Sequence, residues 1–460
     1  MNNVLFVTII LFWLAHNLEA REPASRSQKI KLLENLMQNN LIYVSQEIIR
    51  NDLKKGVWIG NYERYLDTII SDIGTEQLDR INLTGQQLKN SKNLNYISAK
   101  NDLRKNLFRL AAKKLKRSLK PDKSFYPNQL LHLASAQQLN REYKKALNNL
   151  LDCEGMLKGQ VGRESGIFGQ EKKIILDTCI MNQARLEFEQ GNFLLANRQY
   201  EKIEKSSLIW PEILFEQAWT SFYQGNYNRT LGKLVTYRSP FFDFIFNPEV
   251  EVLEALSYME ICFYQNTQKV VNDFYQKYSN DAKYLKRFLK KYSNNPSKVG
   301  SLLINLDNKN AIKNKLLKRL LNSISKDLVY RRLIQNYYGI KDELSLIKQY
   351  PERRYVSYLA KRIMFAEKRQ RRLIGTYAIR ILDRANRQLI KSFQGMSYIR
   401  LEILKKEKQK FFGNEYKVGK IGELRNVTFD SSHYVWSFNG EFWADELGDY
   451  VYSLKSECHL

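Results

Sequence analysis

A repeat of 34 residues constrains this chain more than any other feature of its sequence. Gly191-Asn192-Phe193 is followed at that distance by Gly225-Asn226-Tyr227, and Ala184 is followed by Ala218 with the same offset. One helix–turn–helix unit per period accounts for a repeat of this length. Glycine permits the left-handed conformation that ends a helix, and the aromatic residue two positions later fills the space between the paired helices. The repeat therefore predicts helix pairs stacked along the chain.

Two weaker copies flank these repeats, at Asn140-Arg141-Glu142-Tyr143 and at Tyr264-Gln265-Asn266-Thr267. Together the four copies resemble the tetratricopeptide repeat, in which Gly191, Phe193 and Ala196 would be the turn glycine, the aromatic residue and the small alanine. Thr230 departs from that pattern, because it replaces the alanine in the next repeat. The resemblance implies a concave surface that binds a partner and implies no chemistry.

The scarcity of chain-breaking residues extends the helical prediction to the whole protein. Only 8 prolines and 21 glycines occur in 460 residues, which favours long helices joined by short turns. We predict an all-α fold: a tetratricopeptide-like solenoid, then a long helical hairpin or bundle, then a short aromatic-rich tail. The predicted segments are a signal peptide (1–20), an N-terminal helical segment (27–120), the repeats (121–280), a basic long-helix region (281–412) and an acidic aromatic tail (413–460).

The basic long-helix region contains a heptad pattern. Leu382, Leu389, Met396 and Ile403 recur every seven residues, as expected for a coiled-coil seam or for core packing within a bundle. Breaks in this region are predicted at Pro296, Gly339 and Pro351.

A second, narrower resemblance concerns the segment from Tyr237 to Phe242, then Asn247-Pro248-Glu249, and the ending from Trp436 to Gly448 with Cys458. These stretches look similar to parts of exported repeat proteins of gliding and predatory proteobacteria. That resemblance implies a periplasmic setting near an envelope or motility machine.

The first twenty residues are typical of an export signal. An apolar run from Val4 to Ala15 is too short to span a bilayer comfortably, and Ala20 offers a small residue for cleavage. An uncleaved anchor is the other interpretation. Because no later segment is long and apolar enough to cross a membrane, we expect an exported mature protein that does not span one.

Four cysteines lie beyond this segment, and none has the spacing of metal ligands. In an oxidising compartment they could form two disulfides, for which the sequence favours Cys153 with Cys179 and Cys262 with Cys458. Buried free thiols in a helical core are the alternative.

The net charge of +26 is concentrated in one region. Residues 281–420 contain 35 Lys and Arg against 11 Asp and Glu, whereas residues 421–460 contain 2 against 7. Such a basic helical segment could bind anionic lipid, lipopolysaccharide or cell-wall polymer, and export argues against nucleic acid as the partner. Two other interpretations are a solvated helix face and an acidic tail that folds back on the basic helices.

For partner binding, the repeat frame places six residues on the inner helices of two consecutive repeats. Their other interpretation is ordinary packing between repeats. The six residues are Met181, Arg185, Phe188, Phe215, Trp219 and Phe222. Trp219 and Phe222 are of the bulky kind that anchors a bound peptide. The preferred function is accordingly a non-catalytic scaffold that binds a protein partner.

Motifs for catalysis, nucleotide binding or metal binding are absent from the sequence. We therefore predict no enzyme activity, no metal and no cofactor. The one arrangement with catalytic character is the tail, where Glu441, Asp445, Glu446 and Asp449 lie among aromatic residues. A sugar-cleaving enzyme needs a carboxylic acid kept protonated by apolar neighbours, so an envelope hydrolase is a further alternative.

Overall fold

A computed structural model describes residues 22–23, 25–159, 166–305, 313–411 and 436–458. The predicted signal peptide and part of the predicted tail (residues 412–435) lie outside the described residues.

The described part of the fold is all-α, as predicted, apart from two short parallel β-strands, Trp436–Ser437 (β1) and Tyr450–Val451 (β2), which pair with each other. The helices, in chain order, are α1 Arg26–Gln38, α2 Ile42–Lys54, α3 Tyr62–Asp72, α4 Gly85–Asn90, α5 Lys92–Arg104, α6 Phe108–Ser118, α7 Tyr126–Leu139, α8 Tyr143–Lys158, α9 Gly166–Glu189, α10 Phe193–Tyr200, α11 Trp210–Tyr223, α12 Tyr227–Val235, α13 Glu249–Glu260, α14 Tyr264–Tyr292, α15 Pro296–Ile304, α16 Lys315–Lys326, α17 Leu328–Ile347 and α18 Arg353–Phe411. No helix among the described residues combines the length and apolar character needed to cross a bilayer.

One type of turn recurs between paired helices. A residue with positive φ ends the first helix, and the second helix begins two positions later. Among the described residues this turn occurs at Asn40 (φ 56°), Asn106 (60°), Arg141 (62°), Gly191 (80°), Gly225 (73°) and Cys262 (64°). At Gly225 the next amide, Asn226 N, donates to the carbonyl of Ser221 at 3.0 Å, which satisfies a carbonyl that the helix end leaves free.

Each of these turns is followed, five residues later, by a small residue that is 0 % exposed: Ser45, Ala111, Ala146, Ala196, Thr230 and Thr267. A small side chain at this position lets the second helix lie close to its partner. Thr230, the departure from the tetratricopeptide pattern, is accommodated because its hydroxyl donates to the carbonyl of Asn226 at 3.0 Å. The helical repeat fold of tetratricopeptide type therefore includes turns at Asn40 and Asn106, which the sequence analysis did not identify.

The chain forms two compact units, and each is built from segments that are distant in sequence. The first unit comprises Met1–Arg141, Asn295–Asn305 and Asp327–Tyr377, and the second comprises Glu142–Asn294, Leu306–Lys326 and Ala378–Leu460. The basic long-helix region (281–412) contributes to both units.

The first unit has an extensive apolar core, in which Leu33, Ile48 and Leu66 are completely buried. Gly339 was expected to break a helix, but α17 continues through it. A Cβ atom there would lie 2.6 Å from the Tyr43 ring, so the glycine is explained by close packing and not by a turn.

In the second unit, successive helices from α8 to α14 pack against one another in chain order. The heptad residues of α18 that belong to this unit, Leu382, Leu389, Met396 and Ile403, are all buried. The adjacent Phe393 packs edge-on against Phe274 of α14, with ring centroids 5.0 Å apart. The heptad therefore forms a buried stripe, and its interpretation as a coiled coil stays a prediction.

The described tail residues pack on the repeats of the second unit. Gly448 N donates to Thr236 Oγ1 at 3.0 Å, and Leu454 exchanges two hydrogen bonds with the Asn228 side chain. A Cβ on Gly232 would lie 1.8 Å from the carbonyl oxygen of Tyr450, so only glycine admits the tail backbone here. The tail contacts at these residues involve repeat helices, in contrast to the suggestion that the tail covers the basic helices.

The backbone around Asn439-Gly440 forms neither a hairpin nor the start of a helix. Glu441 to Trp443 are neither strand nor helix, and Trp436 pairs with Tyr450 in parallel.

Candidate functional site: an aromatic surface on two repeats

The six predicted binding residues lie on α9 and α11, at equivalent positions of consecutive repeats. Met181 corresponds to Phe215, and Arg185 to Trp219. Met181 is only 5 % exposed and belongs to an apolar cluster with Ile180 and Tyr200. It is therefore a core residue in this structure, and it is unavailable to a partner without local opening.

Arg185 is held by carboxylates of the next repeat. Its Nε donates to Glu216 at 3.0 Å, and a terminal nitrogen donates to Glu212 at 2.6 Å. Tyr200 donates its hydroxyl to the other oxygen of Glu216 at 2.7 Å. Burial by itself would lower the pKa of Arg185, but the hydrogen bonds to Glu216 and Glu212 and the negative charges of these carboxylates together outweigh it, so the pKa is raised. Arg185 thus stays charged and links two repeats, which leaves it few donors for a ligand.

Phe215, Trp219 and Phe222 have a structural role in addition to any role in binding. All three are half-buried and pack against a cluster that includes Leu234 and Leu253. These side chains thus take part in packing between repeats, and their role in binding stays a prediction.

The aromatic side chains continue outward in a connected group that we call the aromatic surface: Phe188, Phe193, Trp219, Phe222 and Tyr223. The Tyr223 ring stacks on Phe193 with centroids 5.3 Å apart, and on Trp219 at 5.7 Å. Phe188 meets both Phe193 and Tyr223 edge-on, at 5.2 and 5.6 Å. Offset and edge-on pairs of this kind stabilise one another beyond their buried area.

Tyr223 is the outermost member of the aromatic surface and is 55 % exposed. Leu194, which follows Phe193 in α10, is 72 % exposed. Neither residue was predicted from the sequence. Leu194 lies on α10, the second helix of its repeat, and Tyr223 is the last residue of α11, outside the repeat positions assigned to binding. The aromatic residues that share a repeat position, Phe193 and Tyr227, were a signal that aromatic side chains gather near these turns.

Two of the four tail carboxylates considered for hydrolysis lie open to solvent. Glu441 and Asp445 are exposed, and Asp449 forms an ion pair with Lys205 at 2.7 Å. A general acid that works near neutral pH needs an enclosed, apolar environment that keeps it protonated. Neither exposed carboxylate has such an environment, so the geometry gives the hydrolase alternative no support.

The cysteines form two disulfides in the second unit. Cys153 pairs with Cys179, with Cα atoms 6.4 Å apart, and Cys262 pairs with Cys458 at 5.0 Å. These are the two pairs that the sequence favours. The first joins α8 to α9, and the second attaches the tail to the turn between α13 and α14. Within the described part of the chain, no group of three or more His, Cys, Asp or Glu side chains is arranged to hold a metal ion.

No protein-family model matches this chain, and no curated protein matches it. Among solved structures, it is similar to the Rap conjugation gene regulator of the plasmid pLS20 in complex with the Phr* peptide, at 9% identity and a TM-score of 0.32. That alignment covers 74% of this chain and 96% of the regulator. A Rap protein complexed with Competence and Sporulation Factor is similar at 14% identity and a TM-score of 0.29, over 78% of this chain and 96% of that protein. At these values, neither likeness carries an argument about function.

Proposed function

We propose that this protein is a non-catalytic scaffold that binds a segment of a partner protein on the aromatic surface. The observation that carries the proposal is the connected, partly exposed group formed by Phe193, Trp219 and Tyr223. Large rigid aromatic side chains lose little conformational freedom on binding and dominate the energy of many interfaces. Because Trp219 is also packed against the repeat core, it would present its free edge to the partner without rearrangement.

The chemistry of the surface indicates the kind of segment that would bind. Exposed Leu194 and Tyr223 favour an apolar or aromatic anchor on the partner, while Glu212, next to Arg185, adds a carboxylate that is 57 % exposed at its side chain. A segment with apolar anchors and a basic residue matches both features.

We further propose that the protein is exported and works in the bacterial cell envelope. The two disulfides support this location, because disulfides persist in oxidising compartments and are rare in a reducing cytosol. The resemblance of the tail and the Tyr237–Phe242 segment to exported repeat proteins points to the same compartment.

The test uses a photo-crosslinking residue in place of Leu194 in the full-length protein, applied to envelope fractions at low and high salt. We expect one partner to be crosslinked at both salt concentrations, since apolar docking is little affected by ionic strength. Tyr223→Ala in the same protein should abolish that crosslink. A photo-crosslinking residue in place of Tyr398, an exposed tyrosine of α18, is the matched control and should not capture the same partner.

Two outcomes would reject the proposal. A crosslink that persists unchanged in Tyr223→Ala would separate binding from the aromatic surface. Recovery of anionic lipid or wall polymer alone, lost at high salt, would move the function to the basic helices of residues 281–420.

A further inference from the structure

A cavity in the second unit, apart from the aromatic surface, has the features of a small-molecule site. It has a volume of about 550 Å³ and lies between α13, α14, α16 and the loop that precedes α13. This volume falls within the roughly 300–1,000 Å³ that is typical of ligand pockets. All the lining residues belong to one compact unit.

Two of the ion pairs that line the cavity are satisfied within the protein. Glu254, whose side chain is 9 % exposed, accepts from Arg238. Glu251 accepts from Lys277 Nζ at 2.7 Å and from the Tyr278 hydroxyl at 3.0 Å. Burial raises the pKa of Glu254, and Arg238 opposes that rise. These pairs fix the walls of the cavity and contribute no net charge.

The remaining charged groups of the lining have no ionic partner among the described residues, and they balance in sign. Asp243 and Asp273 are exposed carboxylates. Lys269, one helical turn before Asp273 on α14, is an exposed ammonium group. Arg319 of α16 reaches the lining as well, where it donates to the backbone carbonyl of Ile245 and to no carboxylate.

Apolar surface completes the lining. Tyr258, Phe274 and Tyr278 all face the cavity, and the rings of the last two lie 4.9 Å apart. An aliphatic or aromatic group of a ligand could be desolvated against these rings while its charged ends reach the ionic groups at the rim.

We propose that this cavity binds a small zwitterion of the short-peptide class, with its free ammonium group facing Asp273 and its free carboxylate facing Lys269. A ligand with a single charge would be brought close to two groups of its own sign, which opposes binding. A neutral ligand would desolvate the ionic groups without replacing their charged partners. A molecule with one positive and one negative end offers a partner both to the carboxylates and to the cations of the lining. This site is independent of the proposed partner surface.

The experiment uses a pool of random-sequence tripeptides with free ends, incubated with the full-length protein and recovered by size separation and mass spectrometry. Two matched pools carry either an acetylated amino end or an amidated carboxyl end. We expect retention of the free-ended pool and roughly tenfold weaker retention of each capped pool, because each cap removes one charge-assisted contact.

Two variants locate the site: Lys269→Gln and Asp273→Asn, both of exposed residues whose replacement leaves the core intact. The Lys269→Gln variant should bind the free-ended pool about tenfold more weakly and should bind it no better than the amidated pool. The Asp273→Asn variant should likewise bind the free-ended pool about tenfold more weakly, and no better than the acetylated pool. Lys283→Gln, an exposed lysine of α14 outside the lining, is the matched control and should bind as the unaltered protein does.

Equal retention of capped and free pools overturns the proposal, because the ends would then not be recognised. The proposal is also overturned if the unaltered protein retains no more of the free-ended pool than the Lys269→Gln variant does. Both outcomes leave the aromatic surface untouched, so the two proposals fail separately.

Discussion

The two compact units solve the same packing problem with different interactions. The first unit contains no cysteine and places ionic groups in its interior. Arg369 Nη2 donates to Glu47 at 3.0 Å, and the Glu47 side chain is 7 % exposed. Glu343 of α17 accepts from the Tyr43 and Val44 amides at the start of α2, at 2.8 and 3.0 Å.

The second unit contains all four cysteines, as two disulfides, together with the aromatic surface. A buried ion pair joins segments only while both partners are present and correctly charged. A disulfide acts mainly by restricting the unfolded chain, and only reduction removes it. Reduction should therefore affect the second unit and leave the first unit unchanged, whereas the stability of the first unit should depend on pH and on single charge changes.

The largest effect is expected from Cys262→Ser with Cys458→Ser. This disulfide joins residues 196 apart, for which chain entropy predicts a loss of about 5 kcal/mol in the free energy of unfolding. Cys153→Ser with Cys179→Ser is the matched variant, and its separation of 26 residues predicts roughly 3.5 kcal/mol.

Urea unfolding of both double variants measures the difference, and hydrogen exchange shows where protection is lost. Protection should fall in the second unit and at the tail. An equal loss of protection in the α1 and α2 helices of the first unit would contradict the comparison.

Breaking the buried pair of the first unit should come next. Glu47→Leu leaves the Arg369 guanidinium buried without its carboxylate and should cost about 4 kcal/mol in urea unfolding. Glu47→Leu combined with Arg369→Leu should recover most of that loss, because no charge is then left unpaired. Glu352→Ala, which breaks the exposed pair with Arg354, should have no measurable effect. A double variant no more stable than Glu47→Leu alone would show that the cost is one of packing.

The third effect is a pH dependence at Glu343. Burial raises the pKa of this carboxyl to about 7 from 4.5, despite the amides of Tyr43 and Val44. Between these pH values the folded protein holds a proton that the unfolded chain has released, so stability falls as pH rises and is constant above about 7. The fall should reach about 3 kcal/mol.

The wild-type curve alone would hide this effect, because His132 acts in the opposite direction. Burial lowers the pKa of His132 to about 4 from 6.5, so its contribution to stability is lost as pH falls from 6.5 towards 4. The difference between wild type and Glu343→Gln, measured by urea unfolding from pH 4.5 to 7.5, isolates Glu343. A difference that does not change with pH would contradict the prediction.

The smallest effect concerns the repeat turn. Gly225 has φ +73° and nothing within 4 Å of an added Cβ, so Gly225→Ala should cost only the strain of the left-handed backbone, about 1 kcal/mol. Gly155→Ala is the control, since this helical glycine is equally open but has no positive φ, and it should gain up to about 1 kcal/mol. Thermal unfolding measures both variants. A loss of stability in Gly225→Ala together with a gain in Gly155→Ala supports the turn geometry.

The sequence predicted the parts of the fold that depend on neighbouring residues. The turns at Gly191 and Gly225 and the small residues after them recur because each turn is built within one helix pair. The same turn at Asn40 and Asn106 was not found, because asparagine replaces glycine there and serine replaces alanine at Ser45. Asparagine tolerates positive φ, so a search that admitted both substitutions would have found these turns.

Other features depend on residues far apart in the chain, and only the tertiary structure decided them. The presence of glycine at position 339, inside a helix, is explained by its close packing against Tyr43, which lies nearly 300 residues earlier. The ion pairs that hold Arg185 depend on carboxylates of the following repeat. The tail packs on Gly232 through backbone contacts that carry no residue pattern. Periodicity in the sequence reports which face of a helix is buried, but the identity of the group that covers it is set by the fold.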